Sequence, residues 1–79
     1  MNNKRSDTEL AWRKQFGDRL KRLIHIKGMT QSQFARELGV TEATLSRYIT
    51  GTHEPGVSKA ERIAEILDCD ISRLFDKTF

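Results

Sequence analysis

The side chains with chemistry to offer gather in one stretch, TQSQFARELGVTEATLSRYITG, running from Thr30 to Gly51. Within it Leu45, Tyr48 and Ile49 are the residues a short helix would bury, which leaves Glu42, Ala43, Thr44, Ser46 and Arg47 with little core work. Arg47 carries a planar fork of donors, Glu42 is an acceptor, and the hydroxyls of Thr44 and Ser46 serve as both. These groups suit hydrogen-bonded recognition. Bond-breaking chemistry is poorly served by comparison. A structural zinc site takes four cysteine or histidine ligands, and here Cys69, His25 and His53 stand far apart. No phosphate-cradling glycine loop or nucleophile elbow occurs. Neither an enzyme, a metal site nor a cofactor is therefore expected.

Length and charge set the frame for that face. At 79 residues the chain is one domain at most, near the size at which a single core barely offsets the entropy of ordering. Charged residues make up 32% against 37% hydrophobic, with a formal net charge of +3, a mild tilt toward anionic partners. No apolar run approaches the roughly 20 residues that span a bilayer, and MNNKRSDTEL has no apolar stretch of a signal peptide behind its charges. A cytoplasmic protein without a membrane partner is expected. The single cysteine excludes an internal disulfide framework, in keeping with a reducing compartment.

The elements that would hold the face are helices. Ser6 with Glu9 fits a capping box, and Trp12, Phe16, Leu20, Leu23 and Ile24 follow at helical spacings, so a long first helix is expected from about Thr8 to Lys27, after a flexible lead over 1–7. Gly28 stops it. Gly17 lies inside that helix at a cost of up to about 1 kcal/mol relative to alanine, tolerable if a neighbouring backbone passes close. Thr30 with Gln33 makes a second capping box for a helix that turns Phe34, Ala35 and Leu38 inward and ends at Gly39. Thr41 caps a third helix, stopped by Gly51. Pro55 breaks the chain, and Ile63, Ala64, Ile66 and Leu67 mark a fourth helix whose cap is either Gly56 or the Ser58–Glu61 box. Asp70 can cap a last turn, ISRLF. The fold class is all-α, a compact bundle of about five helices with an extended first one, forming a single domain over 1–79.

FGDRLKRLIHIKGMTQSQFARELGVTEATLSRYITG, with IAEILDCDISRLF added, resembles the helix-turn-helix region of the lambda-repressor-like family, the phage repressor and Cro type of bacterial DNA-binding domain. The resemblance runs from about Phe16 to Phe75, with the motif itself at 31–50. It makes Gln31 the opening of the motif's first helix, Ala35 the small residue at the helix crossing, Gly39 the turn, and Val40, Leu45 and Tyr48 the apolar positions that hold the second helix down. The spacing has a physical reason of its own: helices crossing closely need a small residue at the contact and a turn able to take positive φ. The second helix then presents its N-terminal outer face to a major groove wide enough to admit it. Two departures stand out. Ile24 and Ile49 occupy positions where many members pair an arginine with a glutamate, an exchange that leaves the fold intact because a buried ion pair often breaks even against apolar packing. Asp68 stands where a helix-ending glycine is usual, which implies local strain.

What the resemblance implies is a sequence-specific regulator of transcription, a repressor, bound as a homodimer to a double-stranded DNA operator with inverted repeats. Arg47 is then the candidate for a bidentate guanine contact, against a phosphate clamp or a solvated side chain. Glu42 would accept from a cytosine amino group, although the helix dipole alone explains a carboxylate there. Ala43 would touch a thymine methyl or allow close approach. Gln31 would hold a phosphate at a helix N-terminus, and Thr41, already a cap, could meet another. Thr44 and Ser46 would donate to base or phosphate, while Thr50, Thr52, His53 and Lys59 surround the end of the helix and could hold backbone phosphate. Tyr48 and Cys69 are expected in the core and His25 on the surface. The C-terminal ISRLFDKTF gathers Ile71, Leu74, Phe75 and Phe79, either as a dimer interface or as a tuck against Trp12 or Leu10. The alternative function is an antitoxin-type interaction module with a toxin partner, because one fold serves several functions.

Overall fold

Helices form wherever the chain supplies an apolar stripe between a start and a stop signal. In the computed structural model, which describes the backbone of residues 3–70 and side chains from residue 12 to 70, they are α1 (Asn3–Ile26), α2 (Gln31–Leu38), α3 (Glu42–Thr50) and α4 (Val57–Leu67). The described residues contain no strand, and the all-α class holds. The expected fifth turn, with Ile71, Leu74, Phe75 and Phe79, lies outside the described residues.

Most helix ends follow the chemistry of their termini. Thr30 and Gln33 form the expected capping box: the Gln33 amide donates to the Thr30 hydroxyl at 3.0 Å, and the Thr30 amide to Gln33 Oε1 at 2.9 Å. Gly39 closes α2 in the left-handed region, φ 85°, with its N–H on the Ala35 and Arg36 carbonyls, a conformation that costs a residue bearing Cβ about 1–2 kcal/mol. Asp68 adopts the same region at φ 55° and ψ 49° and ends α4 there, so the strain read from its type is present. The two options for the start of α4 resolve to Gly56, which caps through its backbone without a side-chain bond. The start of α1 departs from expectation. It begins at Asn3, not near Thr8, and takes in residues 3–7 of the supposed flexible lead. Ser6 and Glu9 thus fall inside the helix and not at its start; KRSDTEL contains no proline or glycine to stop a helix extending backward.

One apolar cluster joins all four helices. Phe16, Leu20 and Ile24 of α1, Phe34, Ala35 and Leu38 of α2, Leu45 and Tyr48 of α3, and Ile63, Ala64 and Leu67 of α4 are buried together. The main seam is α1 on α3, and α2 rests on both α3 and α4. Trp12 is half-buried and stacks on Phe16, ring centres 5.9 Å apart and 5° from parallel. Tyr48 is core and His25 is exposed, as expected. Cys69, expected to be buried, is only half-buried against the cluster. Arg19, a charged helix residue, is buried at 5% exposure.

Ile24 is buried and Ile49 packs half-buried against the same cluster, so apolar contact occupies the region of the family's ion pair. Because Ile49 keeps part of its surface in water, Ile49→Ala should cost about 2 kcal/mol, the low end for isoleucine truncation. A thermal melt superimposable on that of the parent would show the side chain to be packed against nothing.

Candidate nucleic-acid interface

The third helix is held from its C-terminal end, and two glycines make that possible. Gly17 of α1 lies directly against the last turn of α3. A Cβ placed there would overlap the Ile49 carbonyl oxygen and stand 2.7 Å from the Ile49 carbonyl carbon and 2.8 Å from the Tyr48 oxygen. Gly51, which ends α3, approaches α1 from the other side, since a Cβ on it would lie 3.2 Å from the Lys14 nitrogen and 3.3 Å from the Arg13 carbonyl carbon. Backbone therefore rests on backbone. Arg13 Nε, 3.6 Å from Glu54 Oε1, ties the following loop to the same part of α1. Leu45 and Tyr48 fill the inner face of the helix.

With one face and one end fixed, the remaining face is open. Glu42, Ala43, Ser46 and Arg47 are all exposed, and Thr44 is half-buried among them. Ala43 and Arg47 are one turn apart, so they share a strip of surface. At the start of the helix the Thr41 hydroxyl accepts the Thr44 amide at 3.1 Å and donates to Thr44 Oγ1 at 3.0 Å. At its end the Arg47 carbonyl accepts the amides of Thr52 and His53 at 2.9 and 3.2 Å. Thr50 donates to the same carbonyl at 3.4 Å and meets the Thr52 hydroxyl at 3.0 Å. Thr50, Thr52 and His53 thus form one exposed corner beside Arg47.

Gln31 is exposed at the first position of α2. The capping box engages the Gln33 amide, and the amides of Gln31 and Ser32 carry no hydrogen bond among the described residues, which leaves two donors at the positive end of the helix dipole. Lys59 falls elsewhere. It is half-buried in a groove with Leu38, Arg62 and Glu65 of α2 and α4, to which no residue of α3 contributes. Arg62 bridges that seam, with donor bonds to Glu65 Oε1 at 3.1 Å and the Glu37 carbonyl at 3.4 Å. Among the described residues no cluster of histidine, cysteine, aspartate or glutamate could hold a metal, and no helix is long and apolar enough to cross a membrane.

Residues 19–74 match the helix-turn-helix family model. The chain belongs to the helix-turn-helix family. This is a family of DNA-binding transcription regulators, not of enzymes, and the likeness to the phage-repressor type read from the sequence is borne out. Two proteins described as uncharacterized HTH-type transcriptional regulators, from Sinorhizobium medicae and Rhizobium meliloti, are each 30% identical over 60 residues, 76% of this chain. The chain spans 43% of the length of those relatives. Among solved structures it is similar to the restriction-modification controller protein C.AhdI from Aeromonas hydrophila. There the TM-score is 0.74 at 26% identity, covering 78% of this chain and 94% of that one.

Of the residues that position this helix-turn-helix, the sequence signalled Gly17, as a glycine inside a helical pattern. It gave no sign of the contact between Gly51 and the Arg13–Lys14 backbone, nor of the Arg13–Glu54 pair, because neither follows from any local pattern.

Proposed function

We propose that the chain is a sequence-specific regulator of transcription, a repressor that binds a double-stranded DNA operator as a homodimer in the cytoplasm and reads the major groove with α3. Glu42, Ala43 and Arg47 are its base-reading side chains. Gln31, Ser46 and the Thr50, Thr52 and His53 corner make backbone or mixed contacts, as does Lys59 if the duplex reaches α4. The observation that carries this reading is a helix locked through its inner face and C-terminal end onto α1, with Glu42, Ala43, Ser46 and Arg47 left exposed. A helix so fixed can enter a groove without its own geometry yielding, and the open strip supplies donors and acceptors that base edges match. The names of the relatives and the net charge of +3 support the same partner.

Selection of duplexes by the full chain from a random pool tests the proposal: one enriched motif is expected, and recovery of the unselected pool would overturn it. On the selected duplex Arg47→Ala should cost about 1–3 kcal/mol and relax preference at a single base pair, while Gln31→Ala should weaken every sequence by the same factor. Uniform weakening by Arg47→Ala would make Arg47 a phosphate contact.

A further inference from the structure

We propose that an exposed strip of α1, Lys14, Asp18 and Lys21, and an exposed strip of α4, Glu61, Arg62, Glu65 and Asp68, are the two halves of a head-to-tail contact between copies of this chain on neighbouring sites of a duplex. The neighbouring sites rest on the reading of the chain as a DNA-binding regulator; the contact itself does not. Charge is divided unevenly along the chain. Residues 13–27 carry six lysines and arginines against one aspartate, whereas residues 28–70 carry four against seven carboxylates. The net positive charge therefore belongs to α1, and the segment that includes α3 and α4 is net negative.

Lys14, Asp18 and Lys21 are exposed and recur at intervals of four and three, on the side of α1 turned from Phe16, Leu20 and Ile24. Glu61, Arg62, Glu65 and Asp68 are exposed along α4, on the side turned from Ala60, Ala64 and Leu67. Each strip spans seven residues, about 10 Å of helix. The signs match as well, since Asp18 stands between two lysines and Arg62 between two glutamates. A duplex backbone carries one sign throughout, so a lysine strip interrupted by a carboxylate suits it less well than a protein strip of alternating sign. That complement is present on this same chain.

Within one copy the charges are left over. Among the described residues Lys14, Asp18, Lys21, Glu61 and Asp68 form no ion pair, and Arg62 meets Glu65 at 3.1 Å. Glu61 and Glu65, one turn apart, are a like-charge pair of the kind that destabilises a helix. The main seams join α1 to α3 and α2 to α4, so the two strips belong to elements that are not paired with each other. A contact between unlike patches does not close on itself and can therefore link successive copies. Exposed ion pairs contribute little singly, so free copies associate weakly. A duplex that holds two copies side by side makes the same contact intramolecular.

The test uses the full chain and duplexes carrying one or two copies of the motif it selects, with their spacing varied through one helical turn. At low ionic strength, about 0.05 M, where exposed charges are screened least, the parent should bind a second motif roughly three- to tenfold more tightly than a single one at the best spacing, the effect of two or three exposed pairs. Lys21→Glu and Glu65→Lys should each bring that ratio to about one, with affinity for a single motif within about threefold of the parent. Both substitutions in one chain restore opposite signs at the same places, and the ratio should return. A merely structural effect of either change would not be reversed by the other. A parent ratio of one at every spacing overturns the proposal, and so does a double variant whose ratio stays at one. If Lys21→Glu weakens single and double motifs equally and leaves the ratio intact, Lys21 meets phosphate and the proposal falls. A chain that selects no duplex would overturn the DNA reading alone. The contact is then read by sedimentation at low salt and on the order of hundreds of micromolar, where the average mass should rise past a dimer for the parent and the double variant but not for either single variant; equal masses for all four would overturn it.

Discussion

Gly17→Ala should destabilise the chain more than any other single methyl added to it, by about 3 kcal/mol or more, the upper end of the cost of overpacking. The new Cβ would occupy space held by the Ile49 carbonyl, with the Tyr48 oxygen 2.8 Å away, and both obstacles are backbone. A side chain could turn aside; a helix end can yield only by moving. Better helix propensity returns up to about 1 kcal/mol, too little to offset the clash. For a domain near the bottom of the usual range of about 5–15 kcal/mol, the loss takes most of the stability. The melting temperature should fall by roughly 12–24 °C for a chain of this size. The variant's remaining folded population should also bind DNA more weakly, since any relief of the clash shifts the end by which α3 is held. A melt within a few degrees of the parent would show that α1 and α3 stand farther apart than described.

That contact also marks where the sequence stops being legible. The caps, stops and inward faces of α2 and α3 could be read because each is encoded within four or five residues: Thr30 with Gln33, Thr41 before Glu42, glycines at 39 and 51. The family resemblance was legible for the same reason, since its motif lies in one continuous stretch. The start of α1 was not, because a cap-like pair is a weak signal when the residues before it form helix equally well. Burial of Arg19 was missed because its type predicts a surface position and only its neighbours across the fold put it inside. Lys59 shows the limit for the candidate site. Its place along the chain suggested the α3 corner, and no local pattern showed that it also borders a groove with Leu38 and Glu65.

Truncation after Asp70 should weaken binding to a full operator by about 10²–10⁴-fold while leaving most of the fold, the loss expected when a second half-site ceases to be an intramolecular contact. Among the described residues the apolar cluster runs from Phe16 to Leu67, and the sequence adds four more large apolar side chains after it, Ile71, Leu74, Phe75 and Phe79, which the proposed pairing assigns to a partner surface. One α3 also offers few base contacts. On the proposed reading Glu42, Ala43 and Arg47 would contact only a few base pairs, and a good bidentate contact discriminates by about 1–3 kcal/mol, which is short of what separates an operator from random DNA. A two-fold pairing doubles the contacts and sets the two recognition helices about 34 Å apart, one turn of the duplex, so the selected motif should be an approximate inverted repeat. Binding to an isolated half-site should change little on truncation, because each protomer keeps its own α3. That difference separates lost pairing from lost folding, which would weaken both. Sedimentation of the intact chain at tens of micromolar should show a dimer, and a dimer on the operator. A chain that is monomeric when free and binds the selected duplex as a single copy would remove the C-terminal segment as an interface, and the apolar residues there would have to cover their own domain instead.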